Sequence, residues 1–305
     1  MNLSELMESV RRVEVRTNRL VNDTMVGAYL SHFKGRGMDF EELREYIPGD
    51  DVRDIDWNVS HRLGRPFVKR FREERELTVV LAVDISGSAA FGSRDRTKRE
   101  RAAEIAATLA FSAAKNGDKV ALLLFAGGVE CFVPPRKGRR HILRIVRELL
   151  ARESQHRGTD LVGALRFINH VLPRRAMIFL LTDFLHAHTM AGPRAGAGRD
   201  FMAELGLTNA RHDVVCLHLV DPLETRLPAA GLVTVEDAET GELLEVDSNR
   251  AAVRERFAGL NQARLLELDQ ALNRTGVETL RLSTHEPFAP AIQRFFELRR
   301  GRRRG

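Results

Sequence analysis

The hydrophobic positions of the chain form short, nearly unbroken runs that alternate with longer amphipathic stretches. The run LTVVLAV at 77–83 is rich in β-branched residues, which indicates a strand buried on both faces at the centre of a parallel sheet. The stretches between such runs have helical spacing of their apolar residues. The predicted strands cover 77–84, 119–126, 176–183, 212–220 and 277–282, and the predicted helices cover 98–116, 138–151, 160–172, 249–274 and 287–299.

This alternation predicts an α/β fold, a doubly wound and mostly parallel sheet of the Rossmann type with right-handed crossovers. Residues 129–133 are expected to pair with the strand at 119–126 across Gly127 and Gly128. Residues 232–247 have the pattern of a hairpin, and the Gly-, Ala- and Arg-rich run at 188–199 indicates a loop or linker.

The pattern ahead of the central sheet differs from the rest. Residues 3–22 have the spacing of an amphipathic helix, and residues 66–76 alternate like an edge strand that leads into the central strand. We therefore expect an irregular and helical N-terminal segment packed on the main domain. The predicted division is 1–75 for this segment, 76–300 for the α/β domain and 301–305 for a basic tail.

Oxygen-bearing side chains follow two of the buried strands. Asp84 ends the first strand, and Ser86 and Ser88 follow at two-residue spacing, so that an extended chain points all three to the same side. Asp183 ends a second buried strand, and Thr159 precedes a helix. Because ligands bind at the carboxyl edge of open α/β sheets, these five hard oxygens predict a site for Mg²⁺ or Mn²⁺. The alternative is ordinary helix capping by Asp and Ser.

Acidic residues and arginines are interleaved between 38 and 62, around a Pro48-Gly49 turn. One interpretation is a network of arginine–carboxylate pairs that braces an irregular segment; the others are a partner-binding surface or a second metal or catalytic centre. Trp57, the only tryptophan, is expected to anchor the segment against the main domain. The candidate partner-binding residues are Asp50, Asp51, Arg53, Asp54, Asp56 and Trp57.

Composition and charge narrow the function classes. The net charge is +6, and much of the excess lies in a C-terminal run of arginines without aromatic residues, so nucleic-acid binding is not expected as the main role. Cys131 and Cys216 lie in apolar runs without a disulfide-type spacing, which favours a reducing compartment. No signal peptide and no apolar run of about 18 residues is visible, so we expect a cytoplasmic protein.

Several catalytic motifs are missing from the sequence. The chain has no Gly-x-x-x-x-Gly-Lys-Ser/Thr phosphate loop and no His-Glu-x-x-His, and no Gly-x-Ser-x-Gly surrounds Ser86 or Ser88. A metal-dependent hydrolase, in which the ion activates water, remains the alternative function. It requires a general base near that water, and no loop offers an obvious one. We therefore expect an interaction module and no enzymatic activity.

The five candidate ligands resemble the metal-ion-dependent adhesion site of von Willebrand factor A domains, in ligand type and in chain order. The stretch that begins FKGRGMDFEELREYIPGDDVRDIDW and runs into the first strand is similar to the signature of the bacterial domain of unknown function 58 family. That resemblance implies a von Willebrand factor A-like domain and a MoxR-type AAA+ ATPase as partner. It further implies that a carboxylate from another protein completes the metal site, so that the chain acts as an adaptor or co-chaperone.

Overall fold

The computed structural model describes residues 37–74, 77–94, 96–154, 156, 158–185, 195–236 and 241–302, together with residues 8, 10, 11 and 13–15. A six-stranded sheet forms the centre of the molecule, and its strand order is β10-β7-β6-β3-β4-β5 when the strands are numbered along the chain. All neighbours are parallel except the pair β4 and β5. The six strands are β3 (Thr78–Asp84), β4 (Lys119–Phe125), β5 (Val129–Arg136), β6 (Met177–Thr182), β7 (Asp213–Val220) and β10 (Glu278–Ser283).

Helices cover both faces of this sheet. Along β3 the side chains alternate, with Val79, Leu81 and Val83 in one buried cluster and Val80 and Ala82 in the other. Because both faces are buried, the strands are continuously apolar, and the predicted doubly wound α/β fold is confirmed. The helices are α1 (Trp57–Leu63), α2 (Lys98–Lys115), α3 (Arg139–Ala151), α4 (Leu161–Val171), α5 (Ala195–Arg211), α6 (Pro222–Thr225), α7 (Ala251–Arg274) and α8 (Phe288–Arg302).

A separate two-stranded antiparallel sheet precedes the domain and consists of β1 (Gly37–Glu45) and β2 (Phe67–Glu74). The sequence pattern predicted the strand at β2 but placed it at an edge of the central sheet, which is wrong. Those edges are formed by β5 and β10, whereas β2 pairs with β1, a strand that the charged sequence did not indicate.

Two other predicted segments differ in detail. The predicted hairpin is confirmed as β8 (Leu232–Glu236) paired with β9 (Leu243–Asp247), and its turn at 237–240 lies outside the described residues. The expected loop at 188–199 is wrong in its last part, because α5 begins at Ala195. Likewise α8 extends to Arg302, two residues into the predicted basic tail, and residues 303–305 lie outside the described residues.

The described residues of the predicted N-terminal helix are helical. Val10 is buried in the same hydrophobic cluster as α2 and α3, and Glu14 forms an ion pair of 2.6 Å with Arg139. The rest of that predicted helix lies outside the described residues. In the part of the chain that the structure describes, no helix combines the length and apolarity needed to cross a membrane.

Candidate functional site

Two carboxylates lie close together at the carboxyl edge of the central sheet. Asp84 is the last residue of β3, and Asp183 directly follows β6, the parallel neighbour of β3. The hydroxyl of Thr182 donates a hydrogen bond of 2.7 Å to Asp84 Oδ2. Both carboxylates are buried, at 4% and 7% exposure. Parallel pairing therefore brings together two acids that are far apart in sequence, as the pattern predicted.

Ser86 and Ser88 lie beside the two acids. The backbone N–H of Ser86 donates to Asp84 Oδ1 at 2.9 Å. The hydroxyl oxygens of Ser86 and Ser88 are 3.2 Å apart, and the side chain of Ser88 helps to lower the pKa of Asp183. A tight 3₁₀ turn at Gly87–Ala90 holds both serines in this position. Asp84, Ser86 and Ser88 thus form one buried hydrogen-bonded network, and Asp183 lies next to it.

Thr159, the fifth predicted ligand, lies on the loop before α4. It is 7% exposed, and the following residue, Asp160, donates its N–H to the carbonyl of Ala126 at the end of β4. Asp160 also caps α4 through Gly163 N–H at 2.8 Å. These bonds hold Thr159 at the same edge of the sheet, and the hydrogen bonds among Asp84, Ser86 and Ser88 form without it.

The structure adds a residue that the sequence analysis missed. Lys98 Nζ lies 2.5 Å from Asp183 Oδ2 and 2.5 Å from Glu224 Oε1. The lysine side chain is 1% exposed, so its ammonium group is paired entirely inside the protein. Glu224, on α6, also accepts the N–H of Asp221 at 3.0 Å. The site therefore contains a fixed cation and a third carboxylate.

The local sequence explains how Lys98 reaches this position. Thr97 is the N-cap of α2 and forms a capping box with Glu100, which makes Lys98 the first residue of the helix. The backbone N–H of Lys98 donates to the carbonyl of Phe91 at 2.9 Å. A positive charge at a helix N-terminus is unfavourable with respect to the helix dipole. The two carboxylates from β6 and α6 compensate for this.

The electrostatic environment separates the two aspartates. Burial raises the pKa of Asp84 to about 6, and the negative charge of Asp183 acts in the same direction. Burial also works to raise the pKa of Asp183, but the charge and hydrogen bond of Lys98 outweigh it, so that this pKa is lowered. For Lys98, burial opposes the charged form, whereas Asp183 and Glu224 favour it more strongly and raise its pKa. Among the described residues, Asp84 thus has no cation paired with it, whereas Asp183 is paired with Lys98.

The loop after β6 has an uncommon conformation next to the site. Phe184 has a φ of 53°, in the left-handed region that non-glycine residues rarely adopt. It is fully buried and packs against Phe201 and His218, with ring centroids 5.9 and 5.4 Å away. Its N–H donates to Thr182, the residue that also binds Asp84. Core packing on Phe184 therefore fixes the backbone that presents Asp183.

A cavity of about 10 Å³, roughly the size of one water molecule, lies between the two aspartates and Lys98. Hydroxyl and carboxylate oxygens are the donors that Mg²⁺ and Mn²⁺ take, and Asp84 is available to supply charge. In the described ranges, no three His, Cys, Asp or Glu side chains converge as a metal cluster. The residues present fit a small hard cation only if the serine hydroxyls act as ligands.

The acidic segment is held together by its own ion pairs. Asp50 pairs with Arg44 at 2.6 Å, and Asp56 pairs with Lys69 at 3.1 Å. Asp56 also caps α1, and Asp51 caps the short 3₁₀ turn of Val52–Asp54, which contains Arg53. These contacts agree with the bracing interpretation. The use of this surface by a partner stays a prediction.

Trp57 does not anchor the segment to the main domain, and that expectation is wrong. Its side chain is 67% exposed, because α1 begins at this residue and buries only Ser60. Ser60 accepts the N–H of Phe67 at 2.8 Å and so joins α1 to β2. Ile47, Val52 and Leu63 are exposed as well.

One serine–histidine pair lies at the same edge of the sheet. Ser93 Oγ is 2.9 Å from His285 Nε2, although the residues are 192 positions apart. Asp221 Oδ2 lies 3.8 Å from the same nitrogen. In a catalytic triad the acid orients the base through its other nitrogen. The three residues therefore lack triad geometry, and Asp221 instead accepts the hydroxyl of Thr284 at 2.7 Å.

Comparisons with known proteins give a family and several similar structures. The model of the family described as protein of unknown function DUF58 matches residues 42–265. The uncharacterized protein Rv1480 of Mycobacterium tuberculosis is 31% identical over 299 residues, which cover 97% of this chain and 90% of that protein. Among solved structures, BatB from Bacteroides thetaiotaomicron is 14% identical with a TM-score of 0.45, covering 73% of this chain and 98% of that chain. The SpRpn10 VWA domain is 9% identical with a TM-score of 0.35, covering 71% and 94%.

Proposed function

The chain belongs to the DUF58 family, and from this premise we propose that it is a metal-dependent protein-interaction module without enzymatic activity. The observation that carries the proposal is the buried hydrogen-bonded group of Asp84, Ser86 and Ser88, together with Asp183, which shares with Asp84 the lining of a cavity of about 10 Å³. Such a site, at the carboxyl edge of an α/β sheet, is where this fold class binds ligands.

In this proposal Asp84, Ser86 and Ser88 hold Mg²⁺ or Mn²⁺, together with Thr159 and Asp183. The bound ion supplies a positive charge that attracts a carboxylate from another protein. Serine and threonine ligands add no charge of their own, so the ion keeps most of its attraction for an outside carboxylate. Asp183 is already paired with Lys98, which leaves Asp84 as the main anionic ligand.

We propose a MoxR-type AAA+ ATPase as the partner and an adaptor or co-chaperone role for this chain. The support for the partner is the family resemblance, and the metal site supplies the physical means of contact. A cytoplasmic location is also proposed, and the free thiols of Cys131 and Cys216 agree with it.

The test is binding of the purified ATPase to this protein in Mg²⁺ and in EDTA. We expect the complex to dissociate in EDTA. The variant Ser88→Ala should weaken binding in Mg²⁺, because it removes one ligand. Ser112→Ala is the matched control, since Ser112 is a fully buried serine on α2 outside the network. Binding that is unchanged by EDTA and by Ser88→Ala would contradict the proposal.

The hydrolase alternative requires a general base that can reach a metal-bound water. The serine–histidine pair at this edge has the wrong geometry for a triad, and its histidine already contacts Ser93. Assays with generic phosphatase and esterase substrates distinguish the two functions. Activity that is lost in Asp84→Ala would favour the hydrolase.

A further inference from the structure

Lys98 lies in the site but is not a metal ligand in the proposed function. Its ammonium nitrogen is bonded to Asp183 and Glu224, at 2.5 Å each, and its side chain is 1% exposed. A buried charge is costly unless it is paired, and here one partner comes from the loop after β6 and the other from α6. The lysine also opposes the dipole of its own helix at the first position of α2. Neither burial nor helix formation explains a lysine at this position.

The charges of the site indicate what the lysine does. Lys98 contacts Asp183 and Glu224, and Asp84 lines the same cavity as Lys98 and Asp183. These three carboxylates and one ammonium group leave a net charge of −2. One divalent cation neutralises that charge. Arg264 lies further away and interacts electrostatically with both Glu224 and Asp183. Without Lys98, the three carboxylates would carry −3 and would attract a cation more strongly.

Lys98 also links the site to neighbouring loops. Glu224 accepts Lys98 through one oxygen and the N–H of Asp221 through the other. Asp221 in turn accepts the hydroxyl of Thr284 and the N–H of Ser93. The chain of bonds thus joins the loops after β3, β6, β7 and β10. Asp183 is held in position by this arrangement before any metal binds.

We infer that Lys98 is a resident counter-ion that sets the metal affinity of the site. It positions Asp183, and its positive charge repels the incoming ion, so that the metal binds weakly and exchanges. This inference rests on the proposed function, because it concerns the same metal site. In this inference Lys98 is a positioning residue, and Glu224 holds the Lys98 ammonium group in place.

The experiment is calorimetric titration of Mn²⁺ into the full-length, metal-depleted protein and two variants. Lys98→Met removes the charge and keeps the length of the side chain, so Mn²⁺ should bind tighter by about tenfold or more. Glu224→Gln keeps the shape and removes a negative charge, so Mn²⁺ should bind weaker by about threefold or more. Lys115→Met, at the exposed end of the same helix, is the control and should leave the affinity unchanged.

The two variants should change the Mn²⁺ affinity in opposite directions, and this distinguishes the proposed role of Lys98 from a purely structural one. If Lys98 served only to stabilise the fold, both variants would disturb the site and weaken binding. If Lys98→Met folds and binds Mn²⁺ as tightly as wild type or less tightly, the inference is overturned. Unchanged Mn²⁺ binding by Glu224→Gln also overturns it. If Lys98→Met does not fold, the Glu224→Gln measurement decides. When wild type and both variants bind Mn²⁺ equally, only this inference fails. When none of them binds Mn²⁺, the proposed metal site fails as well.

Discussion

Lys98 Nζ lies 2.5 Å from Asp183 Oδ2, although the two residues are 85 positions apart in the chain. This ion pair connects the first turn of α2 to the end of β6, at the edge where the predicted metal ligands meet. Both side chains are almost completely buried. Removing one partner of such a pair leaves the other charge buried without compensation. The free energy lost in this way is larger than the net stabilisation that the intact pair provides.

Lys98→Met should therefore destabilise the protein in metal-free buffer. We expect the free energy of unfolding to fall by about 3–5 kcal/mol, because Asp183 and Glu224 both lose their cation. Urea denaturation in the presence of EDTA measures this change, with Lys115→Met as the surface control. A loss of less than about 1 kcal/mol would show that the pair is not formed in solution.

The Asp84 carboxyl should give the stability a distinctive pH dependence in metal-free buffer. Its pKa is 3.8 in the unfolded chain and about 6 in the native protein. Between these values the native state holds a proton that the unfolded chain has lost, so stability falls as the pH rises through this interval. The decline due to this group amounts to about 3 kcal/mol, and it is complete above pH 6.

Asp84→Asn removes the titrating group and should remove this decline. The measurement is urea denaturation of wild type and variant at intervals from pH 4 to pH 7 in EDTA, and the difference between the two curves isolates Asp84. Asp183 has a lowered pKa, so its own contribution is lost only as the pH falls below 3.8. Asp54→Asn, at an exposed position in the acidic segment, is the control. Parallel curves for wild type and Asp84→Asn would contradict the burial of this carboxyl.

Trp57→Ala should have little effect on stability, in contrast to the sequence-based expectation of an anchor. The side chain is 67% exposed, and surface substitutions usually change the free energy of unfolding by less than about 0.5 kcal/mol. Chemical denaturation followed by circular dichroism measures this. A loss of about 2 kcal/mol or more would indicate that the tryptophan is buried in solution.

Much of the doubly wound α/β fold could be predicted from the sequence, because the central strands are buried on both faces. A strand such as β3 is then continuously apolar, and this pattern is hard to mistake. The pattern failed for β1 and β2, which form a small separate sheet with many charged residues. It also misplaced Trp57, because an aromatic residue is usually buried and the sequence does not show which face of α1 is covered.

The candidate site could be predicted where strand order alone brings residues together. Asp84, Ser86, Ser88 and Asp183 follow neighbouring parallel strands, so their proximity follows from topology. Lys98 and Glu224 were missed because they reach the site from the first turns of two helices, and only tertiary packing aligns these helices. One signal was present in the sequence: a lysine directly after the N-cap Thr97 opposes the helix dipole.

The central claim is that this edge of the sheet binds one divalent cation through Asp84. The most direct test is calorimetric titration of Mn²⁺ into metal-depleted wild type and Asp84→Ala, with circular dichroism to establish that both are folded. The account predicts one Mn²⁺ per chain for wild type and no detectable binding for Asp84→Ala, because the variant lacks the only carboxylate of the site that is not paired with Lys98. Equal Mn²⁺ affinity in the two proteins, or no binding by wild type, would contradict it.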